Sequence, residues 1–427
     1  MNFHRENQKG FSFNIYSYLI HEKYRATDSR YNYSGKIKAG KRRNFTVLNL
    51  KYRKNRTFFS LNNGWDFSRE NYRFGNIFSR QNNYYNYSSA DVKQFFRSDL
   101  YMQTGISYEY SRTGFHSRIP TYDYATGPND PSDPQSWSPV HHALEMFGYV
   151  RWNPLSALTL SAGIRKNIPL QKQSSHCSWQ INLRYNPAQH HSLLFACGGY
   201  NGYSSPTYFI RDYAPVSSRQ YSLEYRYKPE TLEIALAAYY KKENQTVYFQ
   251  ENDQAVASPN RIAGIEVSVN QNWERLTCSA SYTYLYSRIK KEDSWYDSYN
   301  RMNYFLKVYA TYNFHAWGNV SLSGTFRPGL YYTPIVESDF NPAVSAWIPY
   351  YGSYNSARYP AYATIDLTYN KVFLLSSRGY LVLFATINNL FDRANEAEAL
   401  YSPDYSVIRG YDLYSRRSVY FGIQLTI

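Results

Sequence analysis

The chain lacks long apolar runs and has few cysteines, and each of these absences excludes a class of protein. No stretch approaches the roughly 18 apolar residues of a membrane-spanning helix, so helical membrane proteins are excluded. Cys177, Cys197 and Cys278 are too few and too scattered for a disulfide framework or a zinc site. The opening MNFHRENQKG has neither an apolar core nor a small-residue cleavage site. If the chain is exported, we expect its true start to lie upstream.

Tyrosine and positive charge are abundant instead. The 427 residues include 49 Tyr and 24 Phe, yet the mean hydropathy is -0.62. The chain is therefore polar but rich in tyrosine, whose ring can lie in an apolar layer while its hydroxyl contacts water. The net charge of +15 comes from Lys and Arg spread along the sequence, without a recognition helix or an RNA-binding motif. We therefore expect no nucleic-acid partner.

Alternation with a period of two recurs along the chain and is clearest in its last residues. One face of this segment is apolar and the other is small or polar; the faces are Val419, Phe421, Ile423, Leu425 and Ile427 against Ser418, Tyr420, Gly422, Gln424 and Thr426. Residues 232–241, 276–286 and 363–370 alternate similarly. Strands with one lipid-compatible face and one wet face predict an all-β fold, a large transmembrane antiparallel β-barrel with a hydrated interior.

The connections between these strands alternate between short and long. The long ones include a predicted loop over residues 244–259, and the short ones lie at residues 153–156, 186–189, 228–231, 272–275, 315–318 and 376–379. Outer-membrane barrels have short periplasmic turns and long extracellular loops, so the closing strand should run toward the periplasm. Counting back predicts about nineteen strands of a barrel of about 22, with the first strands missing. We treat residues 1–427 as one barrel domain in the outer membrane of a Gram-negative bacterium. A soluble β-sandwich or propeller is the alternative fold, but it needs shorter strands and a buried aliphatic core.

Four motifs in the C-terminal half resemble the barrel of TonB-dependent outer-membrane transporters. FATINNLFDR resembles the penultimate-strand motif of that family, and RRSVYFGIQLTI stands where its closing strand belongs. RPGLYYTPI and ARYPAYATIDLTYNKVF resemble two further strand elements upstream. The motif residues are Asn388, Asn389, Leu390, Phe391 and Asp392. In this family the terminal strand is also an assembly signal, which the resemblance assigns to Tyr420, Phe421, Ile423, Leu425 and Ile427.

This resemblance implies active uptake of a scarce nutrient such as a siderophore, haem, corrinoid or glycan. It also implies contact with outer-membrane lipid and lipopolysaccharide, the barrel assembly machinery and a surface lipoprotein. A TonB-type energy-coupling protein would act only through a plug domain, which has no counterpart in these residues. The final Ile427 also departs from the aromatic residue usual in the family. A plugless passive porin, or a nonfunctional receptor fragment, therefore stays open.

Aromatic residues in two long connections are the predicted ligand-binding residues. They are Trp295, Tyr296 and Tyr299 in KKEDSWYDSYN, and Trp347, Tyr350 and Tyr351 in NPAVSAWIPYYGSYN. Such rings can hold a ligand at the outer mouth by stacking and hydroxyl hydrogen bonds. Packing of one loop against another is the structural alternative.

Catalytic, metal and cofactor sites are not expected. The pairs His141-His142 and His190-His191 lack carboxylate or cysteine partners at ligand spacing, so we predict no metal site. No nucleophile, metalloprotease or phosphate-loop motif occurs, and we expect no cofactor. An outer-membrane hydrolase is the remaining enzymatic alternative, and His116 is the one candidate catalytic residue that the sequence offers for it.

Overall fold

The computed structural model describes residues 2–7, 10–30, 33–121, 126–171, 173–249, 254–343, 346–375, 379–402, 404–406, 408–413 and 416–426. Its strands are β1 (Asn2–Glu6), β2 (Phe11–Arg30), β3 (Tyr33–Lys54), β4 (Thr57–Phe74), β5 (Ile77–Phe95), β6 (Leu100–Pro120), β7 (Ser132–Trp137), β8 (Val140–Leu155), β9 (Leu158–Pro169), β10 (His176–Tyr185), β11 (His191–Ser204), β12 (Ala214–Tyr227), β13 (Leu232–Phe249), β14 (Gln254–Asn272), β15 (Leu276–Lys291), β16 (Ser294–Asp297), β17 (Met302–Asn313), β18 (Asn319–Arg327), β19 (Tyr331–Tyr332), β20 (Ile335–Asn341), β21 (Ala346–Tyr351), β22 (Ala357–Arg358), β23 (Tyr362–Leu374), β24 (Tyr380–Asn388), β25 (Glu396–Tyr401), β26 (Ile408–Leu413) and β27 (Ser418–Thr426). A 3₁₀ turn spans His315–Trp317. Within the described ranges, no helix has the length and apolarity to cross a membrane.

One antiparallel sheet contains 21 of these strands. The short β7 and β16 add to the outer ends of β6 and β15, and the other nineteen each pair with the next in chain order. This arrangement confirms the predicted all-β barrel architecture and the predicted count of about nineteen strands. At its two ends, β1 pairs with β2 and β27 with β24, and the described residues show no ladder between β1 and β27.

The register continues the two predicted faces from strand to strand. On one face Leu367 lies opposite Ile387, which lies opposite Val419. On the other face Thr368 lies opposite Thr386, which lies opposite Tyr420. Directly opposite residues share a face, so an apolar outer surface and a polar inner surface run across the sheet.

Apolar residues on the outer surface are exposed rather than buried. Phe421 is 85% exposed and Ile423 is 70% exposed. Among the described residues, seven hydrophobic side chains are buried: Phe74, Phe115, Ala143, Tyr213, Phe249, Ile289 and Tyr405. All seven lie toward the outer ends of the strands or in the outer connections. A sandwich would have its aliphatic core between two sheets, so the distribution fits a barrel and not the soluble alternative.

The short connections lie where the sequence predicts them, but one predicted long loop is wrong. Residues 244–259 were expected to form a loop, whereas β13 and β14 stay paired up to Phe249 opposite Gln254. The segment Thr246 to Phe249 is β-branched and aromatic, which favours continued pairing over a loop. Two other long connections contain hairpins of their own, β20 with β21 and β25 with β26.

Candidate functional site

The predicted aromatic residues fall into two clusters at the outer end of the barrel. The first surrounds Tyr354, whose ring meets those of Phe249 and Tyr296 edge to face, with centroids 5.2 and 5.8 Å away. The Lys291 ammonium lies 5.1 Å from the Phe249 ring and 5.3 Å from the Tyr354 ring. Tyr296 therefore packs the β15–β17 connection against the β18–β23 connection, and the Lys291 ammonium lies against the aromatic rings.

Its neighbours in the sequence are placed differently. The Trp295 ring lies beneath the Arg261 guanidinium at 4.3 Å, on the outer surface. Tyr299 is 61% exposed, and its carbonyl accepts a hydrogen bond from the Tyr331 N–H at 3.1 Å. Of the three residues predicted here, Tyr299 thus has the ring most open to a ligand.

The second cluster lies between the β20–β21 and β25–β26 hairpins, which enclose a cavity of about 320 Å³. The Ile335 N–H donates to Tyr401 Oη at 3.2 Å, and the Ser338 hydroxyl donates to the Asp404 carbonyl. These bonds join the two hairpins across the cavity. The lining residues are Ile335, Val336, Glu337, Ser338, Trp347, Tyr401, Asp404, Tyr405 and Ser406.

The three predicted residues of the second connection lie on β21, and one of them reaches this cavity. Trp347 lines it and packs edge to face on Phe340 at 5.6 Å. Tyr350 is 48% exposed, and Tyr351 lies opposite Ile335 at the base of the hairpin. The structure therefore brings Trp347 to the recess, whereas Tyr350 and Tyr351 are not among its lining residues.

Carboxylates give the same recess a negative character. Glu337 and Asp404 are the carboxylates among its lining residues. Hydroxyl hydrogen bonds from Ser402 and Ser406 lower the pKa of Asp404. The recess thus combines aromatic faces, hydroxyl groups and carboxylates, which can stack on a ligand and accept its hydrogen bonds.

No pattern in the sequence indicates that the β25–β26 connection contributes to this recess. Tyr401, Asp404 and Tyr405 reach the recess from a segment about sixty residues beyond Trp347. No local pattern links the two segments, because they meet only when β24 and β27 pair.

A buried polar cluster on the inner wall was also missed. The hydroxyls of Tyr213 and Ser111 lie 2.6 Å apart, which brings the β11–β12 connection against β6. The Tyr213 ring also lies 5.3 Å from the ring of His141, whose Nδ1 is 2.9 Å from Gln173 Oε1. His141 is therefore a buried residue of β8 that contacts two connections, β9–β10 through Gln173 and β11–β12 through Tyr213.

The other histidines are similarly engaged. His191 Nδ1 lies 2.8 Å from the Tyr225 hydroxyl, and His190 Nδ1 lies 3.0 Å from the Lys228 carbonyl. The His116 ring meets Phe78 edge to face at 5.9 Å. Among the described residues, no group of three or more His, Cys, Asp or Glu side chains is arranged to hold a metal ion.

The Asn-Leu-Phe-Asp run forms the turn at the outer end of β24. Asn389 has a φ of 50°, its N–H donates to Asp366 at 2.7 Å, and its side-chain amide donates to the Arg393 carbonyl at 2.8 Å. The Leu390 N–H donates to the Ile365 carbonyl at 2.7 Å. The chain therefore stays attached to the edge of β23 after β24 ends.

The same run also fixes the start of the closing strand. Asp392 accepts two hydrogen bonds from the Arg416 guanidinium, at 3.0 and 2.8 Å, and one from the Arg417 N–H at 2.9 Å. Asn388 donates to the Ser418 hydroxyl at 3.2 Å, whereas Phe391 is 73% exposed. The motif residues thus anchor the connection between β24 and β27 at both of its ends.

Residues of the predicted assembly signal lie on β27. Phe421, Ile423 and Leu425 point to the outer surface and are 85, 70 and 54% exposed, while Tyr420 lies on the inner face. Ile427 lies outside the described residues. Their role in assembly stays a prediction.

Comparison with solved structures shows the same fold. The chain superimposes on the ferric citrate transporter FecA in its unliganded form with a TM-score of 0.73 and 15% identity, covering 100% of this chain and 69% of that one. The ferric yersiniabactin uptake receptor FyuA from Yersinia pestis gives 0.68 and 15%, covering 98% and 68%. The siderophore receptor PiuA from Acinetobacter baumannii gives 0.66 and 12%, covering 98% and 72%.

A search of curated proteins finds no significant match. The comparison with family models agrees with the structural comparison. The family model described as TonB dependent receptor-like, beta-barrel matches residues 2–390. Members of this family are outer-membrane transporters and receptors that work with TonB energy coupling, and not enzymes. Since the match covers most of the chain, the protein belongs to the TonB-dependent receptor β-barrel family.

Proposed function

We propose that residues 1–427 form the barrel portion of an outer-membrane receptor that takes up a scarce metal chelate of the siderophore type. The recess between the β20–β21 and β25–β26 hairpins carries this proposal. It places the Trp347 ring, hydroxyl groups and carboxylates together at the outer mouth, above a polar lumen. The ferric-chelate names of the structural neighbours support this class over haem, corrinoid or glycan.

The arrangement supports capture by the loops followed by passage along the polar wall. A chelate of organic rings and donor groups can stack on Trp347 and hydrogen bond to Tyr401 and Glu337. The carboxylates favour a neutral or cationic chelate, since an anionic one would meet like charge. An energy-coupling protein of the TonB type, acting on a plug, would then drive the ligand inward.

A growth assay tests the proposal. A deletion strain carrying the natural gene is starved of iron and supplied with one ferric siderophore, haem, corrinoid or glycan at a time. We expect growth on a ferric siderophore. Short-term uptake of that siderophore, measured with labelled iron, should be abolished by a protonophore and slowed about tenfold by Trp347→Ala. Trp273→Ala, an exposed residue of a periplasmic turn, is the matched control.

Each other result points elsewhere. Uptake that survives the protonophore would identify a passive porin. Growth restored by haem, corrinoid or glycan alone would replace the siderophore with that nutrient. Equal uptake by the Trp347→Ala and Trp273→Ala variants would remove the recess from the binding site.

A further inference from the structure

Two tyrosine rings on the wall of the barrel lie against glycines. Tyr149 of β8 lies opposite Gly163 of β9, and a Cβ at Gly163 would be 3.3 Å from Tyr149 Cδ2. Tyr200 of β11 reaches over Gly198, where a Cβ would be 2.8 Å from Tyr200 Cζ. A ring that crosses a glycine lies along the sheet instead of standing out from it, so one of its faces stays open.

These glycines belong to one row of the sheet in which large and small residues alternate. Gly163 lies opposite Gln180 of β10, and Gln180 lies opposite Gly198. The adjacent positions Ile164 and Trp179 are apolar and 59 and 42% exposed, as expected for the side that faces lipid. The row itself therefore faces the lumen, and its two glycines leave gaps in the inner wall.

A cavity of about 430 Å³ opens at these gaps, and we call it the wall pocket. Its volume lies within the range of about 300 to 1,000 Å³ that is typical of small-molecule sites. The inward-pointing side chains that line it include Glu145, Phe147, Tyr149, Arg165, Gln180 and Tyr200.

The wall pocket lies inside the barrel and below the recess at the outer mouth. Tyr149 precedes Leu155, the last residue of β8, by about six positions. A strand tilted by about 40° advances about 2.5 Å per residue along the barrel axis. The wall pocket is therefore about 15 Å above the periplasmic turn, within the height of the apolar band of such barrels.

The wall pocket offers free hydrogen-bonding groups between its aromatic faces. Within the part of the chain that the structure describes, the Tyr149 and Tyr200 hydroxyls and the Gln180 amide form no hydrogen bond with the protein. The Arg165 guanidinium lies 3.6 Å from the Glu145 carboxylate, so the two charges that line the pocket balance each other. This environment favours a neutral ligand that can both donate and accept hydrogen bonds.

We propose that the wall pocket binds a neutral six-membered ring that carries hydroxyl groups. The faces of Tyr149 and Tyr200 stack on the ring, and the Gln180 amide donates to one ring hydroxyl and accepts from another. Such a ring occurs in the phenol arm of a chelate and in the pyranose of a glycan. The identity of the natural ligand rests on the proposed function, because the wall pocket lies below the recess through which the nutrient enters. Binding of a ring does not rest on it.

Ring binding is measured on the full chain in detergent by saturation-transfer NMR, with catechol or methyl glucopyranoside as the probe. Every chain carries Trp347→Ala, so that the recess does not contribute. We expect a Kd of about 1 mM for at least one probe, as for a ligand with few atoms. Gly163→Leu fills the gap beside Tyr149 and should raise this Kd more than about tenfold. Gln180→Ala removes the amide and should raise it about fivefold.

Each of these variants has a matched control on the same inner wall. Gly202→Leu adds the same side chain where a Cβ meets no atom within 4 Å, and Gly202 shares the inner face with Tyr200 two residues away. Gln220→Ala removes an amide that lies opposite Gly198 and donates to the Ser218 hydroxyl at 3.1 Å. Both controls should bind the probes as their parent does. Resistance of the unheated barrel to dodecyl sulfate shows that each variant is folded.

The two probes distinguish the sources of the ring. Binding of catechol alone supports the wall pocket and identifies a phenol arm, whereas binding of the glucoside alone supports it and identifies a pyranose. If neither probe binds, or if the pocket variants bind as their controls do, the proposal is wrong. Ring binding without growth on a ferric siderophore would leave the wall pocket in place and remove only the proposed nutrient.

Discussion

Substitution of Asn395 tests how the last extracellular connection is attached to the barrel wall. This side chain is 1% exposed. Its Oδ1 accepts a hydrogen bond from the Ala363 N–H at 2.9 Å, and its Nδ2 donates to the Ala363 carbonyl at 2.9 Å. The β23–β24 ladder begins only at Leu367 opposite Ile387. Asn395 thus supplies the hydrogen bonds that a longer β24 would supply.

The size of the effect follows from these two bonds. Asn395→Ala removes both and leaves the N–H and carbonyl of Ala363 unpaired on that side. A buried hydrogen bond contributes about 1 kcal/mol net, and an unsatisfied buried group costs about 1 to 3 kcal/mol. We therefore expect local opening to become easier by about 3 kcal/mol, which corresponds to exchange more than about a hundredfold faster.

Hydrogen-deuterium exchange of the 361–367 peptide, in detergent at fixed pH, measures this change. Asn341→Ala is the matched control, because the Asn341 side chain is exposed and accepts a hydrogen bond from the nearby Ala343 N–H at 3.0 Å. Exchange at Ala363 that is the same in both variants would refute the role assigned to Asn395. Equal loss of protection throughout β23 would indicate global destabilisation instead.

Two further perturbations test neighbouring contacts. Hydrogen bonds from Arg416 and Arg417 lower the pKa of Asp392 from 3.8 to about 2, so this contact stabilises the fold fully above pH 4 and is lost as the pH falls toward 2. Proteolysis of residues 393–416 should accelerate over that interval in the unmodified chain, and Asp392→Asn should be cleaved quickly at every pH. A Cβ at Gly422 would lie 2.3 Å from the Phe384 ring, so Gly422→Val should destabilise the barrel by about 1 to 3 kcal/mol in urea unfolding. Gln424→Val on the same face should leave the unfolding midpoint unchanged.

The faces of the strands were predictable because strand geometry has a period of two. In β27 the sequence alone assigns Phe421 to the outside and Gln424 to the inside, and the register confirms both. The count of strands was predictable for a related reason, since short turns rich in Asn, Pro and Gly interrupt the alternation. Both predictions use information that lies within a few residues.

The outer connections were not predictable, because their contacts join distant segments. Ile335 hydrogen bonds to Tyr401, and Asn355 donates to the Asp297 carbonyl at 2.7 Å. In both pairs the partners belong to different connections, and the barrel brings them together only after their strands have paired. The outer part of the β13–β14 hairpin was not predictable either. The period-two alternation weakens there, although the two strands stay paired up to Phe249.

The Asn-Leu-Phe-Asp run shows the difference between recognising a motif and explaining it. Resemblance identifies Asn389 and Asp392, but not their function. The structure assigns both to main-chain contacts: Asn389 turns the chain with a positive φ, and Asp392 receives the Arg417 N–H at the start of the closing strand. The β25–β26 hairpin that lines the recess therefore begins and ends on a fixed turn. A rigid base of this kind lets the loop present Tyr401 and Asp404 to a ligand while the strand pairing beneath it stays intact.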